Sequence, residues 1–215
     1  MNQRVRLQVA VDVTSLDEAV RVVEHIGPYV DIVEVGTPLI FEAGLEAVAT
    51  LKVLCPGRQV LADLKIVDAG YIEARGAFRR GADIVTVLGV ADEATINGAL
   101  RAAREAGGQI MVDLLQVADE AARARELAGL GVTCFCLHTA YDRQGTVDPL
   151  AKLHAVRGAV AVTLAVAGGL GPQNVSAVVA DGADIVVVGG AIVAQPDPAA
   201  AAAHIMTLLT EATHE

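Results

Sequence analysis

The sequence predicts an α/β fold, a single-domain (β/α)8 TIM barrel over residues 1–215, and three observations carry that expectation. Short apolar runs alternate with helical patterns from end to end in eight units, which implies a parallel sheet with helical crossovers. Hydrophobic residues make up 53% of the 215 positions but aromatics only 3%. The core must therefore be Ala, Val, Leu and Ile, and Val/Ile-rich runs of that kind suit parallel strands covered on both faces. Finally, Gly81-Ala82-Asp83-Ile84-Val85 recurs as Gly182-Ala183-Asp184-Ile185-Val186, an offset close to half the chain, as in a barrel of two four-unit halves.

The elements follow in order. Candidate strands cover residues 7–11, 30–35, 59–64, 84–88, 109–114, 133–137, 161–166 and 185–188. The first helix opens with a capping box, Ser15-Leu16-Asp17-Glu18, whose hydroxyl and carboxylate answer unpaired backbone N–H groups, and it closes at Gly27. Further helical patterns cover residues 39–54, 70–80, 92–106, 119–130, 149–156, 172–180 and 198–210. The alanine run at 199–203 belongs to the last of these, because alanine is the strongest helix former. No linker or low-complexity tract divides the chain.

Charge and composition exclude some functions. A formal net charge of −10 argues against a broad basic surface for nucleic acid. It permits an anionic small substrate, which local backbone donors can bind. No apolar run approaches the roughly 18 residues of a membrane span. Asp12 interrupts the apolar run after Arg4 and Arg6, so no signal peptide is expected and the protein is expected in the cytoplasm. Cys55, Cys134 and Cys136 lack metal or disulfide spacing and read as small core residues.

In a barrel, chemistry gathers at the C-terminal strand ends. Asp63-Leu64-Lys65-Ile66-Val67-Asp68 ends the third strand, and alternation aims Asp63 and Lys65 to one side. Opposite charges there make either a strand-end salt bridge or a site. Other strand ends supply Asp12, Glu34, Asp113 and His138-Thr139. Glu34 sits among Ile32, Val33 and Val35, where an unpaired carboxylate is rare. Together Glu34 and Asp63 could hold one Mg²⁺, a cation content with one or two carboxylates plus waters and substrate oxygens. His138 is either a satisfied core histidine or a general base aimed at the mouth. Gly168-Gly169 and Gly189-Gly190 follow strands seven and eight, where barrels commonly bind phosphate. They form neither a P-loop nor a dinucleotide fingerprint, so a phosphorylated small molecule without a nucleotide is expected.

With these residues in place, Asp63-x-Lys65-x-x-Asp68 resembles the hallmark of the orotidine monophosphate decarboxylase suprafamily. The resemblance spans nearly the whole chain, from Leu7-Gln8-Val9-Ala10-Val11-Asp12 to Val188-Gly189-Gly190-Ala191-Ile192. Val33-Glu34-Val35-Gly36-Thr37-Pro38-Leu39-Ile40 and Ala62-Asp63-Leu64-Lys65 are similar to its hexulose-phosphate synthase / 3-keto-L-gulonate-6-phosphate decarboxylase family. Orotidine monophosphate decarboxylase itself lacks such a metal-binding Glu. The keto-gulonate decarboxylases carry Glu at the position of Asp113 and Arg at that of Tyr141. The synthases show Val-Asp-Leu and His-Thr-Gly, nearly reproduced by Val112-Asp113-Leu114 and His138-Thr139-Ala140. Ala140 departs from that pattern, and Arg143 could supply the guanidinium of the decarboxylases.

The resemblance implies a Mg²⁺-dependent aldehyde-lyase that condenses formaldehyde with D-ribulose 5-phosphate to 3-hexulose 6-phosphate through a metal-stabilised enediolate. It assigns the metal to Glu34 and Asp63, proton transfer to His138, positive charge or a proton to Lys65, and substrate hydroxyls to Asp12 and Asp113. Phosphate falls to Gly169, Gly189 and Gly190. Asp68 would reach the neighbouring subunit's site in a homodimer. The alternatives are 3-keto-L-gulonate-6-phosphate decarboxylation, sugar-phosphate isomerisation or epimerisation, and a non-catalytic sugar-phosphate-binding barrel.

Overall fold

Parallel pairing continues from the first strand to the eighth and back again. A computed structural model describes residues 4–143 and 149–214. The strands are β1 (Arg6–Val11), β2 (Ile32–Val35), β3 (Gln59–Ile66), β4 (Ile84–Leu88), β5 (Gln109–Asp113), β6 (Cys134–His138), β7 (Thr163–Ala167) and β8 (Ile185–Val188). They close in chain order, with Val9 of β1 opposite Val188 of β8. The fold is the predicted (β/α)8 barrel.

The helices are α1 (Leu16–Ile26), α2 (Thr37–Ala43), α3 (Glu46–Leu54), α4 (Gly70–Arg79), α5 (Glu93–Ala106), α6 (Glu120–Gly129), α7 (Pro149–Arg157), α8 (Val175–Ala180), α9 (Gly190–Val193) and α10 (Pro198–His214). Ser15 caps α1, its hydroxyl accepting from the Glu18 N–H at 3.4 Å. Three expectations need correction. The helix expected over 39–54 is two helices, because Gly44 takes φ 61° and ends α2; a left-handed residue cannot continue a right-handed helix. The helix expected from Pro172 starts at Val175. The short α9, capped by Gly189 and opened by Gly190, lies outside the expected pattern.

Alternate strand residues divide the interior into two cores. Outward residues such as Val9, Val33, Val60, Val85, Val112 and Phe135 pack under the helices. The inward set is small: Ala10, Ile32, Leu61, Ile84, Met111, Cys134, Cys136, Ala165, Ala167, Ile185 and Val187. Cys134 and Cys136 are therefore barrel filling, and burial pushes the Cys134 thiol up to about 12, which leaves it unreactive.

The internal repeat has a physical purpose at the N-terminal rim. Asp83 precedes β4 and accepts from the Val60 N–H of β3 at 2.7 Å and from Lys52 at 2.5 Å. Asp184 precedes β8 and accepts from the Leu164 N–H of β7 at 2.8 Å and from Arg157 at 2.5 Å. Asp31, ahead of β2, accepts from the Leu7 N–H of β1 at 2.9 Å and pairs with Arg4. Each carboxylate ties the second residue of one strand to the start of the next.

Candidate active site

The inward positions at the C-terminal strand ends converge on one polar cluster. Asp63 is 4% exposed, Asp113 2% and Glu34 8%, so each carboxylate needs partners to offset its desolvation. Lys65 Nζ lies 2.5 Å from Asp63 Oδ2 and 3.7 Å from Asp113 Oδ2. The same Asp113 oxygen lies 2.9 Å from His138 Nδ1, and Asp113 Oδ1 accepts from the Leu115 N–H at 2.9 Å. A single carboxylate thus orients both an imidazole and an ammonium.

Strand parity puts Lys65 on the same side as Asp63, but its backbone leaves the regular strand path. Ala62 pairs with Val85 but Ile66 pairs with Val87, so β3 carries a bulge between them. Lys65 sits in the left-handed region at φ 47°, a conformation costing a non-glycine residue roughly 1 kcal/mol or more. Thr86 of β4 stabilises it. Its Oγ1 accepts from the Lys65 N–H at 2.9 Å and donates to Asp63 Oδ1 at 2.8 Å. Thr37 Oγ1 lies 2.8 Å from Asp63 Oδ2 on the other side.

Electrostatics divides the charges by role. Burial pulls the Lys65 ammonium down, but Asp63 and Asp113 outweigh it, and the net shift is upward. Lys65 therefore stays cationic near neutral pH. Burial, then repulsion from Asp63, pushes Glu34 from 4.5 to about 8, against the hydrogen bond from Gln8. Asp12 is raised chiefly by desolvation and next by Asp63.

Asp12 follows β1 directly. A Cβ on Gly36 would fall 2.1 Å from its Oδ1, so only glycine lets β2 end this close to it. Gly189 adjoins the same carboxylate, its notional Cβ lying 3.6 Å from Asp12 Oδ2. Gly169 follows β7 at φ 70°, and Gly190 opens α9 facing free space. Asp12, Glu34, Asp63, Lys65, Asp113 and His138 therefore belong to one rim, with the glycines on the β7–β8 side.

Asp68 is the exception. It is exposed, its Oδ1 accepts from the Ala69 N–H at 2.7 Å, and it lines an outer groove between α4 and α5 with Tyr71 and Arg101. Within one chain it does not join the cluster. Tyr141 also points away, at 83% exposure, whereas Arg143 lines a cavity of about 220 Å³ beside His138.

The donor set fits one hard divalent cation. Among the described residues no group of three or more His, Cys, Asp or Glu is placed to chelate a metal, so a cation here would have at most two such side-chain ligands. A carboxylate offers about four lone pairs. Asp63 uses three, toward Thr86, Thr37 and Lys65, and Glu34 uses one, toward Gln8. Two mutually repelling carboxylates with spare lone pairs suit Mg²⁺, which keeps waters and ligand oxygens for its remaining positions.

Sequence reading passed over Gln8, Thr37 and Thr86. Gln8 and Thr86 are polar residues on apolar strands, on the inward parity, the same signal that singled out Glu34.

Comparison with known proteins matches residues 5–205 to the orotidine 5'-phosphate decarboxylase / HUMPS family. The chain belongs to this family. A 3-hexulose-6-phosphate synthase of Methylomonas aminofaciens is 43% identical over 203 residues, covering 94% of this chain and 97% of that protein. The crystal structure of 3-hexulose-6-phosphate synthase from Salmonella typhimurium superposes with a TM-score of 0.93 at 40% identity, over 96% and 99% of the two chains. A 3-keto-L-gulonate-6-phosphate decarboxylase from Vibrio cholerae superposes with a TM-score of 0.84 at 29% identity, over 97% and 99%. The family thus joins barrels of one shape and more than one named activity.

Proposed function

We propose that this family member is a Mg²⁺-dependent aldehyde-lyase that condenses formaldehyde with D-ribulose 5-phosphate to 3-hexulose 6-phosphate, reversibly. The observation that carries the reading is the Asp113 carboxylate shared between His138 and Lys65. It is supported by relatives at about 40% identity that bear the synthase name.

The chemistry follows from the residues. The Nδ1–H of His138 donates to Asp113, which leaves the lone pair of Nε2 to take a proton. That proton comes from the carbon beside the ketone, where the C–H bond breaks. Glu34 and Asp63 would hold Mg²⁺, which supplies positive charge for the resulting enediolate. The enediolate carbon forms the new C–C bond with formaldehyde, and the formaldehyde oxygen becomes an alkoxide that takes up a proton. Lys65, kept as an ammonium by Asp63 and Asp113, offers charge or that proton at the alkoxide. Asp12 and Asp113 face substrate hydroxyls, and the backbone at Gly169, Gly189 and Gly190 receives the phosphate. Asp68 completes the site of a partner subunit in a homodimer.

A second reading, decarboxylation of 3-keto-L-gulonate 6-phosphate, is favoured by one observation: Arg143 lines the cavity beside His138. Both reactions pass through an enediolate. The experiment that tests the proposal incubates the protein with Mg²⁺ and D-ribulose 5-phosphate in D₂O without formaldehyde. One deuterium should enter beside the ketone without epimerisation, and His138→Asn should abolish the exchange. Release of CO₂ from 3-keto-L-gulonate 6-phosphate, with no such exchange, would favour decarboxylation. Net epimerisation would favour an epimerase.

A further inference from the structure

Gln8 is a charge-neutral but strongly polar side chain inside an otherwise apolar stretch of barrel. It lies on β1 and is 2% exposed. Its strand-pair partners on either side, Ile32 of β2 and Val187 of β8, belong to the apolar barrel filling. Its Nε2 donates to Glu34 Oε2 at 2.7 Å, and this bond is buried. Its Oε1, among the described residues, is a buried polar atom without a partner.

That arrangement is unfavourable for packing alone. A buried amide with an unpaired carbonyl is less stable than an aliphatic side chain of similar size, because the oxygen loses water and gains nothing. Methionine or leucine would fill the same space. What Gln8 does provide is a single directed bond to one oxygen of Glu34, which fixes the carboxylate's rotation. Groups that hold a ligand this way set its orientation and basicity.

We propose that Gln8 is a positioning residue of the divalent-cation site, binding Glu34 Oε2 so that the carboxylate that would hold the cation keeps one fixed rotation. The inference rests on the reading of Glu34 and Asp63 as the cation's carboxylates. It concerns cation binding, not the chemical step, so turnover is not needed to test it.

The test measures Mn²⁺ binding to the intact protein by calorimetry and by electron paramagnetic resonance of free Mn²⁺, for the wild type, Gln8→Met and Gln8→Leu. The expected result is binding weakened about 10- to 100-fold in both variants. The unfolding temperature of the metal-free variants should fall by no more than a few degrees, because loss of the bond to Glu34 is offset by removal of the unpaired amide oxygen, and the further rise on adding Mn²⁺ should shrink. Equal Mn²⁺ affinity in wild type and variants overturns the role of Gln8 while leaving the cation site standing. Failure of both variants to fold, or a metal-free unfolding temperature well below wild type, makes Gln8 a stabilising residue and also overturns it. Absence of any Mn²⁺ binding by the wild type removes the cation site itself and Gln8's role with it.

Discussion

Thr86 holds together two groups that the strand pattern alone leaves apart, the Asp63 carboxylate and the left-handed Lys65 backbone. Hydrogen bonds to charged groups are worth about 1.5–3 kcal/mol. Thr86→Val should therefore lower kcat/KM about 10- to 100-fold, whereas Thr86→Ser, which keeps the hydroxyl, should stay within a few-fold; steady-state kinetics on both variants checks this. Glu34 gives a pH dependence. Its folded pKa of about 8 lies above its ordinary 4.5, so the metal-free folded protein keeps a proton that the unfolded chain sheds. Stability from this group is fully present below the unfolded value and is lost as pH rises through about 8. A cation needs the anion, so Mg²⁺ affinity should rise with pH up to about 8 and each binding event should release up to one proton. Calorimetry in two buffers of different ionisation enthalpy reads that release, and an affinity independent of pH over this range contradicts it. At this scale the charged residues were legible because a carboxylate or ammonium at an apolar strand end is conspicuous. Gln8 and Thr86 carry the same inward, polar-on-apolar mark but were not singled out, because without a charge they are less conspicuous in a strand.

The repeated Gly-Ala-Asp-Ile-Val segment earns its duplication through Asp83 and Asp184, which tie β3 to β4 and β7 to β8 by the same pair of bonds. Asp83→Asn and Asp184→Asn should each cost about 1–2 kcal/mol, discounted for partial exposure. The double variant should be close to additive because the two sites share no partners. Urea denaturation midpoints check both statements, and a marked departure from additivity would show that the two halves communicate through the rim. Strand positions were legible from apolar runs bounded by glycine and polar residues, to within about two residues at each end. The break at Gly44 was not, since Leu39, Ile40, Ala47, Val48 and Leu51 keep a helical spacing across it. The β3 bulge was also hidden. Asp63 and Lys65 share strand parity, so alternation gave the right side for Lys65 although its backbone takes a different path.

For the whole molecule, the closed barrel was legible because eight alternating units in one domain leave few other parallel-sheet solutions, and closure gathers the strand ends into one mouth. How two chains would meet was not legible, since no periodicity marks an interface. Asp68 stands outside its own barrel's cluster, flanked by Val67 at 56% exposure and Ile72 at 73%, which suits a homodimer with shared sites. Mixing Asp68→Ala with His138→Asn protein should then restore about a quarter of wild-type activity, because half the dimers are mixed and each has one intact site. Gel filtration with subunit exchange reads this, and no recovery after exchange would show that Asp68 does not act across the interface. The most direct test of the proposed reaction is formaldehyde consumption by the purified protein with D-ribulose 5-phosphate, in Mg²⁺ and again in excess chelator. Rapid, sugar-dependent loss of formaldehyde that chelator abolishes and His138→Asn removes is the expected result. No formaldehyde loss under saturating sugar and Mg²⁺ would contradict it.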